Sequence, residues 1–231
     1  MTFFSKLFSV NSLGLILVMI MTVFFSNCRT NDEKQRWSPA DSLRIVQETL
    51  AHRTEVDSFF RYDPNSPFHG DTSVQYKGIQ WFPPDVNFCF TSKLLKYESP
   101  ETFIVLGTKG EERKHLKYGY FLFEFGDRRY KLNVYKFTPS DSLRYRLYAD
   151  QLSVWFTDKT TGKETYKVGR YVDIEKEATN LDFVYTINMN NAYNPYCAYS
   201  SLYSCAIPRK EDHFDFAVRA GEMKYHTSEH P

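Results

Sequence analysis

The side chains able to do chemistry crowd into two stretches. Asn191–Cys205 reads NAYNPYCAYSSLYSC and holds four tyrosines, two cysteines and two asparagines. Thr160–Tyr171, TTGKETYKVGRY, adds Tyr166, Arg170 and Tyr171. Phenols and amides both donate and accept hydrogen bonds, so a few of them facing one hollow orient a polar ligand. A strand arginine grips a carboxylate or phosphate through two parallel N–H bonds. Equally, Arg170 can pair internally with Asp158, Asp173 or Glu222. Glu222 follows Ala220-Gly221, a bend that places an acid at a strand end. The candidate ligand-binding set is therefore Tyr166, Arg170, Tyr171, Tyr193, Asn194 and Glu222. Tyr193-Asn194-Pro195 is also good turn chemistry, because Asn bonds its own backbone ahead of a proline. Scaffolding alone would account for it.

Cysteine chemistry has three readings. Cys197 and Cys205 form a disulfide in an exported protein, or they are inert thiols, or one is reactive. A nucleophilic thiol needs a nearby base, and His213 is the nearest histidine after Cys205. Cys89, in a strand, is expected to be a buried free thiol. No metal site is expected, since the spacing of Cys197 and Cys205 is not the paired pattern of zinc and the 6 histidines form no H-x-H or H-E-x-x-H. No G-x-S-x-G, phosphate loop or dinucleotide fingerprint occurs, and no cofactor is expected. With aromatics at 17% of the chain, Trp37, Trp81 and Trp155 read as buried strand aromatics before they read as a sugar-stacking platform.

The elements that must position these groups are mainly β. Ser38 caps a helix, Pro39 suits its first position, and Asp41 supplies the capping acid. Ile45, Val46, Thr49, Leu50, Arg53, Val56 and Phe60 then recur at three- and four-residue spacing, and Asp63-Pro64 stops the helix. Beyond Pro64 the period becomes two. VNFCF, TFIVLGT, the hairpin LKYGYFLFEFGDRRYKLNVYKF turning at Gly126-Asp127, and a second hairpin looping at 158–163 predict strands. LDFVYTINMN and HFDFAVRAG predict two more. The expectation is an antiparallel sandwich or barrel of about eight strands with one N-terminal amphipathic helix, as one domain over 38–231.

Ahead of it, residues 1–27 read as a targeting segment. Lys6 precedes an apolar run, Leu13–Phe25, that is shorter than the roughly 20 residues a membrane-spanning helix needs. FFSNC then resembles the lipobox of bacterial lipoproteins, with Asn27 and Phe25 departing from its usual residues. That resemblance implies lipidation of Cys28, a polar tether over 28–37, and a bacterial cell-envelope location. The expected membrane is the outer one, on its periplasmic or surface side. Without Lys6 the acidic and basic residues balance at 28 each, which argues against a nucleic-acid partner.

The two chemical stretches also resemble the DUF1684 family. The residues that carry this are Thr160-Thr161-Gly162, Thr165-Tyr166, Gly169-Arg170-Tyr171, Ala192-Tyr193-Asn194-Pro195, Cys197-Ala198-Tyr199, Cys205 with Pro208, and Ala220-Gly221-Glu222. RYDPNSPFHG and GIQWFPPD fit upstream. The family implies no activity. This chain has Ile187-Asn188-Met189-Asn190 where relatives tend to L-D-F-N, and Glu211-Asp212-His213-Phe214 where they tend to E-N-R-L.

Three functions follow as expectations. The first is a lipid-anchored envelope protein that binds a small polar or anionic ligand, or a protein partner, without turnover. The second is a hydrolase-like enzyme with a pocket around Arg170, Tyr193, Cys197 and Glu222. In the third, the motifs only specify the fold.

Overall fold

Ser38 starts the long helix as its side chain predicts. Its Oγ accepts the Asp41 backbone N–H at 3.1 Å and donates to Asp41 Oδ2 at 2.7 Å. Helix α1 runs Pro39–Tyr62 and ends at Asp63, ahead of Pro64. It buries Ile45, Thr49 and Phe60, whereas Leu50 of the expected apolar face stays exposed. The computed structural model describes residues 37–71, 74–138 and 142–225. The expected leader, Cys28 and all but the last residue of the tether lie outside the described residues.

Seven strands follow: β1 Cys89–Lys93, β2 Leu95–Leu106, β3 Glu112–Phe125, β4 Arg128–Phe137, β5 Ser153–Phe156, β6 Arg170–Asp173 and β7 Val184–Asn188. Every pairing is antiparallel. The order β2-β3-β4-β5-β6 makes one sheet, and β1-β7 makes a second. Short helices α2, Pro67–Gly70, and α3, Ser142–Leu147, decorate the connections. The β3–β4 hairpin turns through Gly126 at φ 63, since Phe125 pairs with Arg128 and the tight link needs a left-handed residue. The period-two pattern is honoured here, because Phe121, Phe123, Leu132 and Val134 all point into the core.

That core lies between the sheets. Phe90 of β1 stacks on Phe123 of β3 with ring centroids 4.1 Å apart, and Ile187, Val154 and Phe156 join them. Helix α1 is tied to the small sheet. Trp37 Nε1 donates to the Cys89 carbonyl at 2.9 Å, and Asn188 Nδ2 to Thr49 Oγ1 at 3.1 Å. Its C-terminal end packs Phe60 into a second aromatic core with Phe68, Tyr199 and Tyr225.

Two expectations are corrected. The sheets are open, with no closed barrel, and among the described residues there are seven strands where about eight were expected. The missing one is HFDFAVRAG. Its backbone makes one isolated parallel bridge, Thr157 to His213, in which Thr157 N–H donates to the Asp212 carbonyl at 3.0 Å and Phe214 N–H to the Thr157 carbonyl at 2.8 Å; with one further bond, Lys159 N–H to the Phe216 carbonyl at 3.1 Å, the pairing does not extend into a ladder. Further along, the guanidinium of Arg170 takes the carbonyls of Val218, Ala220 and Glu222. Alternate carbonyls on one side of an extended chain normally meet a neighbouring strand. One side chain does that work here.

Candidate functional site

The two motif stretches meet by a reciprocal backbone bridge. Tyr171 N–H donates to the Tyr193 carbonyl and Tyr193 N–H to the Tyr171 carbonyl, each at 2.9 Å. The segment around Gly221 then locks onto the other side of the loop, with Glu222 N–H donating to the Ala192 carbonyl at 2.7 Å. Gly221 has φ 77, and a Cβ there would clash with the Ala192 carbonyl. A glycine is therefore required for Glu222 to enter at this angle.

Glu222 is fully buried. Its Oε2 accepts the Asn194 backbone N–H at 2.8 Å and the Tyr199 hydroxyl. Its Oε1 has no hydrogen-bond partner. Burial pushes the carboxyl up to about 7, against the opposing pull of the Tyr199, Asn194 and Arg170 groups. A carboxyl that titrates near neutrality and keeps one oxygen uncommitted can either donate or accept a proton.

Glu222 stands at the wall of a cavity of about 520 Å³. Six rings line it: Phe59, Phe60, Tyr171, Tyr193, Tyr196 and Tyr203. Glu55 and Asp173 bring exposed carboxylates, and Val56, Pro195 and Cys205 complete the apolar lining. The Tyr193 hydroxyl donates to Asp173 Oδ1 at 2.9 Å, and burial raises its proton affinity well above the ordinary phenol value. His52 also lines the space, with burial lowering its pKa against the fields of Asp173 and Glu55. Its imidazole is thereby kept neutral at pH 7.

Of the six expected ligand-binding residues, Tyr171, Tyr193 and Glu222 line this cavity. Asn194 is buried behind it, its Nδ2 donating to the Met223 carbonyl at 2.9 Å. The Tyr166 hydroxyl turns to Cys197, 3.3 Å from its carbonyl and 3.8 Å from its Sγ. Arg170 is not among the lining residues. Its Nη2 pairs with Asp158 at 3.0 Å, both side chains being 0% exposed. The internal alternative thus holds, and the acid is Asp158. Of the four residues of the hydrolase reading, only Tyr193 and Glu222 reach the cavity.

The expected disulfide is not formed: Cys197 and Cys205 are free thiols, as is the buried Cys89. Cys205 Sγ accepts the Cys197 backbone N–H at 3.3 Å. The Cys205 thiol hydrogen-bonds to Cys197 and holds it down to about 7, with burial opposing and Tyr166 and Thr108 helping. The same hydrogen bond and burial raise Cys205. His213 Nδ1 instead lies 3.0 Å from Thr157 Oγ1, and His213 is not among the groups that shift either thiol. The tryptophans are dispersed. Trp37 bonds the Cys89 carbonyl, Trp81 lies under Arg53, and Trp155 stacks on Tyr135. Among the described residues, no group of three His, Cys, Asp or Glu is arranged to hold a metal.

Most of the helix wall of the cavity was missed from sequence. His52, Glu55 and Phe59 share a face with Val56 by their spacing, but the apolar stripe read through Thr49, Arg53, Val56 and Phe60 dominated the pattern. A half-polar stripe flanking an apolar one was the available signal.

Comparisons with known proteins agree with this fold. The family model described as protein of unknown function, DUF1684, matches residues 74–223. A solution NMR structure of an uncharacterised protein from Haloarcula marismortui is similar, with a TM-score of 0.57 and 27% sequence identity. The similarity covers 80% of this chain and 97% of that one. No curated protein matches this chain.

Proposed function

Because this chain belongs to the DUF1684 family, whose description assigns no activity, we propose its function from its own cleft. It is a lipid-anchored cell-envelope protein that captures a small polar ligand between α1 and the Tyr193–Cys205 loop, without turnover. The observation that carries this reading is the cavity itself. At about 520 Å³ it has the size of small-molecule sites, which are mostly apolar with a few placed polar groups. Both motif stretches contribute to its wall. The expectation of an anionic ligand rested on Arg170, and that guanidinium is consumed by Asp158 and three carbonyls. The ligand in this reading is therefore polar but not anionic.

The anchor rests on the resemblance of FFSNC to a lipobox. Two or three acyl chains hold a protein firmly where one gives only marginal binding. The mature domain then sits in the bacterial envelope, on the periplasmic or surface side of the outer membrane. Labelling with a palmitate analogue tests the anchor: wild-type protein incorporates the label and Cys28→Ala does not. For the cleft, ligand-induced thermal stabilisation is the measurement. Val56→Trp, which fills the cavity from the helix side, removes every stabilisation that the wild-type protein shows. A Val56→Trp protein that folds and keeps them all would exclude the cleft.

A further inference from the structure

We propose that the cleft selects an organic cation, a protonated or quaternary amine on an apolar body, held by carboxylates at the mouth and aromatic faces within. The inference rests on the cleft being the ligand site and adds the chemistry of what it takes.

Three observations converge. First, the charged groups that line the cavity are of one sign. Glu55, Asp173 and Glu222 are acids, and the remaining titratable nitrogen, on His52, is kept uncharged by burial. No lysine or arginine is among the lining residues. An anion entering here would lose its hydration and meet carboxylates, whereas a cation meets opposite charge in a partly water-excluded space, where attraction is stronger than in bulk water. Second, the walls are the faces and edges of Phe59, Phe60, Tyr171, Tyr193, Tyr196 and Tyr203. Ring faces are negative, and cages of them recognise ammonium groups. Third, the Asp173 carboxylate is already oriented by the Tyr193 hydroxyl at 2.9 Å, so one carboxylate at the mouth is fixed before the ligand arrives.

Three probes of similar size and different charge test this: phenethylamine, 2-phenylethanol and 3-phenylpropionate. Each is titrated calorimetrically into the full chain in a non-ionic detergent. Phenethylamine is expected to bind at least about tenfold tighter than 2-phenylethanol, and 3-phenylpropionate more weakly than either. In the double variant Glu55→Gln/Asp173→Asn, both positions being exposed and tolerant of an amide, the amine's advantage falls below about threefold while 2-phenylethanol is unaffected. If 2-phenylethanol or 3-phenylpropionate binds as tightly as the amine, and Val56→Trp removes that binding, the cation inference is overturned and the cleft stands as a ligand site. If no probe binds at millimolar concentration, or if Val56→Trp folds and leaves all binding intact, both fall. A double variant that retains the full preference for the amine also overturns the inference, whether or not Val56→Trp folds.

Discussion

Two buried acids, Asp158 and Glu222, lie close to the same arginine, Arg170, and have opposite fates. Asp158 is saturated. One oxygen accepts the Thr160 backbone N–H, the Thr160 hydroxyl and the Val218 N–H, while the other faces Arg170. Both terminal nitrogens of that arginine are used twice, and only its Nε is left without a partner. Glu222 has one oxygen filled and one open, beside a cavity lined by rings. A buried charge whose partners are all supplied from within the chain is scaffold. A buried acid left half satisfied beside a cavity is not explained by internal pairing alone. Residue type alone does not separate these cases, since the guanidinium that looked most like a ligand anchor proved to be the scaffold.

Substitutions test that contrast. Arg170→Met has the largest expected effect. It leaves Asp158 charged and unpaired at 0% exposure and strips bonds from three carbonyls, for a loss of about 3–5 kcal/mol in chemical denaturation. An Arg170→Met protein of wild-type stability would break the assignment. Next is Gly221→Ala. The residue sits at φ 77 with no room for a Cβ, so about 1–3 kcal/mol is lost and Glu222 shifts from the Asn194 N–H.

Glu222→Gln is read through pH. The native carboxyl is raised from 4.5 to about 7, so the folded state binds the proton more tightly than the unfolded chain. Its contribution to stability is complete below about 4.5 and is lost as pH rises through about 7. Denaturation midpoints of the wild-type protein across that window carry this downward component, and those of Glu222→Gln lack it. The smallest effect is expected at Arg219, whose bidentate pair with Glu164 lies on the surface. Arg219→Ala leaves the denaturation midpoint close to that of the wild-type protein, which separates an exposed ion pair from the buried one at Arg170.

Legibility from sequence varied with the range of the interaction. The α1 start was readable because Ser38, Pro39 and Asp41 act on their own backbone. The β3–β4 hairpin was readable because alternation and a glycine turn are local as well. The β5–β6 pairing was anticipated, but its loop was placed at 158–163, whereas the strands end at Phe156 and resume at Arg170. HFDFAVRAG alternates like a strand and is not one, because beyond its single bridge to Thr157 its Val218 and Ala220 carbonyls are taken by the side chain of Arg170, 48 and 50 residues away along the sequence, which arrives only on folding. At the site, Tyr171, Tyr193 and Glu222 were identified by type and clustering. His52, Glu55 and Phe59 were passed over, since a helical stripe says which residues share a face and not what that face looks onto.

By itself the sequence determined the helix cap, the mostly β pattern, the charge balance and which residue types were available for binding, because these depend on neighbours along the chain. Only the tertiary structure decided that Arg170 faces Asp158, that the two thiols sit unbonded, and that a ring-lined hollow opens beside Glu222. Those outcomes depend on which distant groups arrive at hydrogen-bonding distance, and whether a polar atom is satisfied or left open is a property of the packed whole.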